Sequence, residues 1–339
     1  MISKDEIRAI AAGIKNKTVG IVGDFCVDIY WEADMTKSEL SRETPNFPLP
    51  VTEERIYPGA GGNVAANVAA LTPGKILALC LAGEDWRSFA LKDELEKRGI
   101  SDDFMIKDAA LVTNAYCKPM RHGISATVYE DPRLDFENRA PLGENTEEKV
   151  LSALEILLEQ SDVIICADQF RYGIVTEKVR RRLCEAAANG KTVICDSRYN
   201  IGKYTNCILK PNEVECWRAV HGDDDRGYMT ASRDDFVACA RELSEKTGSV
   251  VFCTLGENGS VIVKGDTVRH ISAIKVTGPL DICGAGDTSI SAFACALASG
   301  ADMAVAAAFA GAASSVTIKK IGVTGTATFA EIENAADPE

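Results

Sequence analysis

The chain has 339 residues, enough for one large domain with an appendage or for two modest domains. Hydrophobic residues make up 46% and charged residues 26%, proportions that are typical of a globular protein and exclude a disordered chain. The net charge of −13 repels the phosphate backbone of nucleic acids, so we expect no nucleic-acid partner. An anionic ligand would need a local basic or backbone-amide site that works against this field.

Cysteine and histidine usage indicates a reducing compartment and no zinc-type cluster. The 12 cysteines never form a C-x-x-C pair, and many lie in apolar runs, as Cys166 and Cys195 do, where we expect small buried side chains. The 3 histidines lie far apart in the sequence.

Ser3 and Glu6 have the spacing of a helix capping box, and no stretch resembles a signal peptide or a membrane span. We therefore expect a cytoplasmic protein without a membrane partner.

Short β-branched runs alternate with helical patterns from Lys17 onward. Continuous apolar strands are typical of a parallel sheet that is buried on both faces, with helices as crossovers. The pattern predicts a doubly wound α/β fold with a mostly parallel sheet flanked by helices. The predicted strands are 18–22, 76–81, 162–167, 192–196, 207–210, 250–255 and 260–263, and the predicted helices are 63–71, 88–97, 147–159, 176–189, 233–246, 285–299 and 304–319.

Two polar, proline-containing stretches, about 24–58 and 110–137, break this alternation. Each contains strand-like runs with no helix between them. They could be irregular loops. Alternatively, they could pair into a small β-sheet over the carboxyl edge of the main sheet, where ligands bind in open α/β folds.

The strongest local signal is the octet DICGAGDT at 281–288, which leads into an alanine-rich helix. Gly284, Ala285 and Gly286 are small residues whose free amides, together with the helix dipole, would form an anion hole. Asp287, directly behind them, would oppose an anion unless it abstracts a proton. The alternative is a glycine-rich loop followed by an acidic residue that the helix dipole favours.

Four motifs, in order, resemble those of the ribokinase/PfkB family of carbohydrate kinases. The octet is similar to the family's D-[TV]-x-G-A-G-D-[TS]. Residues 210–215 carry its N-x-x-E, 254–259 its T-x-G-x-x-G, and 58–65 its glycine-rich, sugar-binding segment before a helix. Asn212 also fits a helix N-cap, and 254–259 a β-turn, which is compatible with these roles. The resemblance implies one ribokinase-like kinase domain over 1–334, with a β-sheet lid built from the two insertions, and a C-terminal tail over 335–339.

Within that family, the sequence is most similar to the kinases that phosphorylate heptose 7-phosphate at the anomeric position. This similarity lies in segments 23–31, 41–51 and 133–137, which follow G-D-x-x-L-D-R-Y-W, S-R-I-S-P-E-A-P-V-P-V and R-L-D-F-E. In so acidic a chain, Arg42 and Arg133 would attract a phosphorylated acceptor, or else form surface pairs that hold the lid together.

Four departures from the pattern lie on the expected sugar side. Ile29, Asn46 and Ala60 stand where the family has Arg, Glu and Gly, and 168–173 is one residue longer than the family's D-Y-x-K-G. The acceptor could therefore be a plain sugar, a nucleoside or another small alcohol. The alternative from outside the enzymes is a non-catalytic protein that keeps the fold for ligand binding.

The resemblance implies an ATP- and Mg²⁺-dependent phosphotransfer to a hydroxyl of a sugar or sugar phosphate, with Asp287 as the base. Mg²⁺ would be held, partly through water, by Asn212 and Glu215, and a monovalent cation, usually K⁺, by Asp281 and the Cys283 carbonyl. Because lids of this family often pair between subunits, a homodimer is expected. The implied substrate-binding residues are Asp28, Arg42, Gly59, Asn63, Arg133 and Asp168, and the implied nucleotide-binding residues are Lys210, Asn212, Thr254, Gly256 and Gly259.

Overall fold

The computed structural model describes residues 2–222 and 225–336. Its strands are β1 (Thr18–Gly23), β2 (Phe25–Asp34), β3 (Val51–Ala60), β4 (Lys75–Ala82), β5 (Met105–Lys107), β6 (Ala115–His122), β7 (Val128–Glu130), β8 (Leu134–Phe136), β9 (Val163–Asp168), β10 (Thr192–Ser197), β11 (Ile208–Leu209), β12 (Val250–Thr254), β13 (Ser260–Lys264) and β14 (Thr267–Ile271). Its α-helices are α1 (Lys4–Ile14), α2 (Gly61–Ala70), α3 (Trp86–Glu96), α4 (Glu144–Gln160), α5 (Glu177–Ala188), α6 (Glu213–His221), α7 (Asp225–Thr230), α8 (Arg233–Thr247), α9 (Ala285–Ala298), α10 (Met303–Thr317) and α11 (Phe329–Ala336).

The main sheet is mostly parallel, as predicted. Its strand order is β14-β13-β12-β11-β10-β9-β1-β4-β5, and only the β12–β13 and β13–β14 pairs are antiparallel. Strands such as β9, which is buried along its whole length, are apolar because helices cover both faces. From β1 the chain moves first to β4 on one side and later to β9 on the other. This topological switch point is where ligands bind in doubly wound folds.

Two hydrophobic clusters fill the space between the sheet and its helices. One lies under α1, α2, α9, α10 and α11, where small alanine side chains let α9 and α10 approach closely. The other lies under α4, α5, α6 and α8. Helix α1 begins at the predicted capping box, in which the Ser3 amide donates to Glu6 Oε2 at 2.8 Å. These layers hold the carboxyl edge of the sheet in place.

The two predicted insertions pair with each other to form a second sheet. Strand β2 is antiparallel to β3 and parallel to β6, and both β7 and β8 pair with β6. We call these five strands the lid sheet. The small β-sheet that the sequence left as one of two alternatives is therefore confirmed, and irregular loops are not.

Ala60, one of the departures from the family pattern, joins the lid sheet to α2. It has φ 50° and ψ −124°, a conformation that a side chain disfavours and that glycine adopts readily. The chain therefore holds strain at the junction where the glycine-rich segment begins.

The predicted element bounds differ from the structure by a few residues, and several short or terminal elements were not predicted. Helix α11 extends to Ala336, into the predicted tail, and 337–339 lie outside the described residues. The division into a domain over 1–334 and a tail over 335–339 stays a prediction. None of the helices in the described ranges is both long and apolar enough to cross a membrane.

Candidate active site

The predicted base Asp287 lies in the first turn of α9, and Asn63 holds its carboxylate. Asn63 Nδ2 donates to Asp287 Oδ2 at 2.7 Å. Gly284 caps the helix with φ 78°, and a Cβ at this position would lie 2.8 Å from Asn63 Nδ2. Glycine is therefore required at 284 both by the backbone conformation and by the approach of the Asn63 amide.

Asn63 is itself fixed by a chain of buried hydrogen bonds. Thr288 Oγ1 donates to Asn67 Oδ1 at 2.9 Å, and Asn67 Nδ2 donates to the backbone oxygen of Asn63 at 2.9 Å and to its Oδ1 at 3.2 Å. With Oδ1 accepting, the Asn63 amide must present its NH₂ group to Asp287. The family resemblance implied a sugar-binding role for Asn63 and did not reveal this contact with the predicted base.

Burial raises the pKa of Asp287 to about 7. The hydrogen bond from Asn63 and the charge of Lys210 lower this pKa, while the carboxylates of Asp196 and Asp28 raise it. A carboxylate with a pKa near neutrality can take up a proton during a reaction and release it afterwards.

Lys210 places a positive charge beside the helix terminus. It is 2% exposed, its Nζ lies 2.7 Å from Asp196 Oδ2, and a Cβ at Gly286 would lie 3.7 Å from this Nζ. The Ala285 amide donates to the Ile282 oxygen at 3.1 Å. It is therefore not free to bind an anion, which is the role that the sequence predicted for it. An anion-binding role for the amides of Gly286 and Asp287, which follow it in the first turn beside Lys210, stays a prediction.

On the lid side, Asp28 and Gly59 lie close together. Asp28 is 6% exposed, and a Cβ at Gly59 would lie 3.0 Å from its Oδ1, so a larger residue would displace this carboxylate. Lys118 Nζ lies 3.8 Å from Asp28 Oδ2 and donates to the Tyr30 hydroxyl at 2.8 Å. Burial raises the pKa of Asp28, and Lys118 offsets part of the rise. The sequence did not single out Lys118.

Asp168 and Asp24 are buried carboxylates at the switch point that accept hydrogen bonds from the protein. Asp168 Oδ2 accepts bonds from the side chains of Ser197, Asn200 and Tyr204 at 2.6–3.1 Å. Asp24 accepts bonds from three backbone amides, of Gln169, Phe170 and Ile174, at 2.7–2.8 Å. Asp24 thereby fixes the loop after β9, a role that the sequence did not suggest. The sugar-binding role of Asp168 stays a prediction.

The two arginines that the resemblance placed at the acceptor have different surroundings. Arg133 donates two hydrogen bonds to Asp135, at 2.6 and 2.7 Å, and lies 4.1 Å from the centre of the Tyr116 ring. Arg42 is exposed in the segment between β2 and β3, with no ion pair to any described residue. Neither contacts Asp287 or Asn63, and their role in binding the acceptor stays a prediction.

The predicted nucleotide-binding residues meet at the ends of β11 and β12. The Thr254 amide donates to the Pro211 oxygen at 3.0 Å, which joins the two segments. Gly256 and Gly259 have φ 54° and 84°, and a Cβ at Gly259 would lie 2.1 Å from the Ile271 oxygen. The nucleotide-binding role of these residues stays a prediction.

The residues predicted to hold cations already make protein contacts. Asn212 and Glu215 form a capping box, in which each accepts the other's amide at 2.8 and 2.9 Å, and burial raises the pKa of Glu215 to about 7. Asp281 accepts the amides of Cys283 and Gly322 at 3.0 and 2.9 Å. Among the described residues, no group of three or more acidic, histidine or cysteine side chains could hold a metal. The Glu215 carboxylate suits a mode in which phosphate oxygens and water would complete a Mg²⁺ shell, and the Mg²⁺ and K⁺ sites stay predictions.

A glycine-capped helix, a carboxylate with a raised pKa and a buried lysine thus converge at the switch point of a doubly wound sheet. The chain belongs to the pfkB family of carbohydrate kinases, whose family model matches residues 21–329. It is a sugar kinase.

Two relatives are each called bifunctional protein HldE. The protein from Nitrobacter hamburgensis is 31% identical over 332 residues, which cover 95% of this chain and 64% of the relative. The protein from Bradyrhizobium diazoefficiens is 30% identical over 329 residues, which cover 94% of this chain and 63% of the relative. The chain thus spans somewhat less than two thirds of the length of these relatives.

Solved structures with the same fold include two kinases at low identity. Arabidopsis thaliana ribokinase, complexed with ribose and ATP, has a TM-score of 0.69 at 18% identity, covering 96% of this chain and 100% of that one. Escherichia coli phosphofructokinase-2, in complex with fructose-6-phosphate, has a TM-score of 0.70 at 18% identity, covering 94% of this chain and 98% of that one. At these identities the likeness concerns the fold alone.

Proposed function

We propose that the protein transfers the γ-phosphoryl group of ATP to a hydroxyl of a sugar phosphate, with heptose 7-phosphate, phosphorylated at the anomeric position, as the specific acceptor. The observation that carries the proposal is the contact at 2.7 Å between Asn63 and Asp287, which orients a carboxylate of raised pKa beside the helix terminus. A base is useful there only if a hydroxyl is to be activated.

The residues divide into those that bind the acceptor and those that bind the nucleotide. Asp28 and Asn63 would hold the sugar under the lid sheet, and Asp287 would accept the proton of the attacking hydroxyl. The amides of the first turn of α9 and the Lys210 ammonium would stabilise the negative charge of the transferred phosphoryl group. Asn212 and Glu215 would hold Mg²⁺, partly through water, and the ion would supply positive charge near the phosphate oxygens.

The choice of heptose 7-phosphate rests on the segment patterns at 23–31, 41–51 and 133–137. The ribokinase was solved with ribose and ATP, and phosphofructokinase-2 with fructose-6-phosphate, so the fold itself accommodates both a free sugar and a sugar phosphate. The departures at Ile29, Asn46 and Ala60 keep a plain sugar as the second candidate acceptor. We further propose that K⁺ binds near Asp281 and the Cys283 carbonyl, and that the lid sheet pairs between subunits.

The test is ADP formation by the purified protein with ATP and Mg²⁺, supplied with heptose 7-phosphate, hexose phosphates and the matching free sugars. Asp287→Asn, which keeps the size of the side chain and removes its basicity, should lower kcat by about a hundred- to ten-thousandfold while ATP binding is retained. Asp266→Asn, at an exposed turn, is the matched control. Absence of ADP with every acceptor, or near-normal turnover in Asp287→Asn, would overturn the proposal.

A further inference from the structure

A cleft of about 170 Å³ lies between the lid sheet and the carboxyl edge of the main sheet. Its walls come from 137–139 after β8, 169–172 after β9 and 198–199 after β10. Strands β9 and β10 are parallel neighbours in which Asp168 lies opposite Ser197, so the residues that follow these two strands lie side by side. The cleft is thus built from both sheets, on the side that is expected to hold the acceptor.

Three arginines, Arg139, Arg171 and Arg198, line this one cleft. The chain has a net charge of −13, and Arg182, for comparison, is paired with the carboxylate of Glu155. None of the three forms an ion pair with a described residue. Glu137 is the one acidic residue among those that line the cleft, and it accepts the Tyr116 hydroxyl at 3.1 Å. The cleft therefore has an excess of positive charge in an acidic protein.

The cleft is joined to the reaction centre by two polar contacts. Gln169 Nε2 donates to Asp196 Oδ1 at 3.2 Å, and Asp196 Oδ2 accepts from Lys210 at 2.7 Å. Lys210 in turn lies beside the helix terminus that carries Asp287. Side chains in contact therefore link the cleft to the helix that carries the base.

The size of the cleft limits what it can hold. Pockets that enclose a whole small ligand usually measure about 300–1,000 Å³. At about 170 Å³, the cleft is smaller than such a pocket but has room for one tetrahedral group. The rest of the ligand would lie outside it, toward Asp287.

The loop that carries Arg171 is held in place before any ligand arrives. Asp24 fixes the amides of Gln169, Phe170 and Ile174, on both sides of Arg171. The Arg171 guanidinium also lies 5.6 Å from the centre of the Tyr199 ring. Less entropy is then lost when an anion is bound, because the backbone of the arginine is already ordered.

We propose that the cleft binds the phosphate group that the acceptor already carries, with Arg171 and Arg198 as its main donors. Guanidinium groups match phosphate oxygens in pairs, and a pocket of several guanidiniums favours a dianion over a neutral hydroxyl. The inference rests on the proposed function, because it names the class of acceptor for the same site. It assigns phosphate binding to the cleft rather than to Arg133, whose guanidinium is bonded to Asp135.

The experiment compares the wild type with Arg171→Met, Arg198→Met and the double variant, each removing charge at an exposed position. The control is Arg181→Met, which removes the same charge from an exposed face of α5, where Arg181 pairs with Glu185. Two readouts are used. One is kcat/KM for heptose 7-phosphate, a hexose 6-phosphate and the matching free sugars, and the other is calorimetric binding of the same compounds without ATP.

We expect each single variant to lose about ten- to one-hundredfold in kcat/KM and in affinity for the phosphorylated compounds. The values for free sugars and the KM for ATP should not change, and Arg181→Met should behave as the wild type. If the double variant binds and turns over sugar phosphates normally, or if the wild type favours free sugars, the inference is wrong. If no acceptor yields ADP but sugar phosphates still bind in an Arg171- and Arg198-dependent manner, the proposed function fails and the cleft assignment stands.

Discussion

Gly173 lies where any side chain would collide with the carboxylate of Asp24. A Cβ at this position would lie 1.9 Å from Asp24 Oδ1 and 2.4 Å from its Cγ and Oδ2. Carbon and oxygen atoms in non-bonded contact are usually about 3.3 Å or more apart, so Gly173→Ala must move the carboxylate or the loop by more than about 1 Å. The carboxylate accepts three backbone amides at 2.7–2.8 Å and cannot move without breaking some of them.

The expected loss can be worked out from these hydrogen bonds. A hydrogen bond to a charged group contributes about 1.5–3 kcal/mol, so losing two of the three bonds to Asp24 would cost about 3–6 kcal/mol before the loop relaxes. Alanine also restricts the unfolded chain, which opposes the loss by less than about 1 kcal/mol. We therefore expect Gly173→Ala to lower the free energy of unfolding by about 3–5 kcal/mol, a large part of the stability of an ordinary domain.

A double-mutant cycle in urea tests the cause of this loss. The proteins are the wild type, Gly173→Ala, Asp24→Ala and the double variant, measured at pH 8, because burial raises the pKa of Asp24 to about 7 and the carboxylate must be ionised. Once Asp24 is alanine the collision is gone, so Gly173→Ala should then cost less than about 1 kcal/mol, and the coupling should exceed about 2 kcal/mol. The reasoning is refuted if the losses of the two single variants sum to the loss of the double variant to within about 0.5 kcal/mol.

Three further predictions concern the base, the metal and the strained junction. Asn63→Ala removes a hydrogen bond that lowers the pKa of Asp287. The acidic limb of the pH profile of kcat/KM, which is expected near pH 7, should therefore move to higher pH. A limb that does not move would contradict this role of the contact. Glu215→Gln should raise the Mg²⁺ concentration needed for half-maximal rate, because an amide is a weaker partner for Mg²⁺ than a carboxylate, and a change confined to the sugar KM would speak against the role. Ala60→Gly should raise the free energy of unfolding by about 0.5–2 kcal/mol, because the strain at φ 50° exceeds the entropic cost of glycine. The measurement is urea unfolding, and a lower midpoint in the variant would show that Ala60 is unstrained.

The elements that could be predicted from the sequence are those that are marked by residue types at short spacings along the chain. The capping box at Ser3 and the N-cap at Asn212 were predicted because the cooperating groups are 3 residues apart. Strand β9 was predicted to within a residue because burial on both faces makes the whole run apolar. Strand β14 was missed because it is an edge strand whose residues are mostly exposed and polar.

The motifs named candidate site residues one by one but could not show how they meet. Asn63 and Asp287 are 224 positions apart, and Asp24 contacts a loop 145 to 150 positions later. Lys118 reaches Tyr30 across 88 positions. No hydrophobic period or local spacing encodes such contacts, since they arise only when the sheet brings the strand ends together. The arginine cleft was missed for the same reason, because its walls come from three separate segments.

The single residue between β1 and β2 has a mechanical consequence. The Asp24 amide donates to the Ala167 oxygen at 2.9 Å, and its own oxygen accepts from Gly61 at 2.7 Å, so the root of the lid sheet is bonded to the core on both sides. The lid sheet is therefore tied to the core at this root. A movement of the lid sheet would have to bend the β2–β3 ladder, whose register shifts between Glu32 and Ala33. Opening and closing over a ligand would then depend on the stiffness of two paired strands rather than on rotation about a free residue.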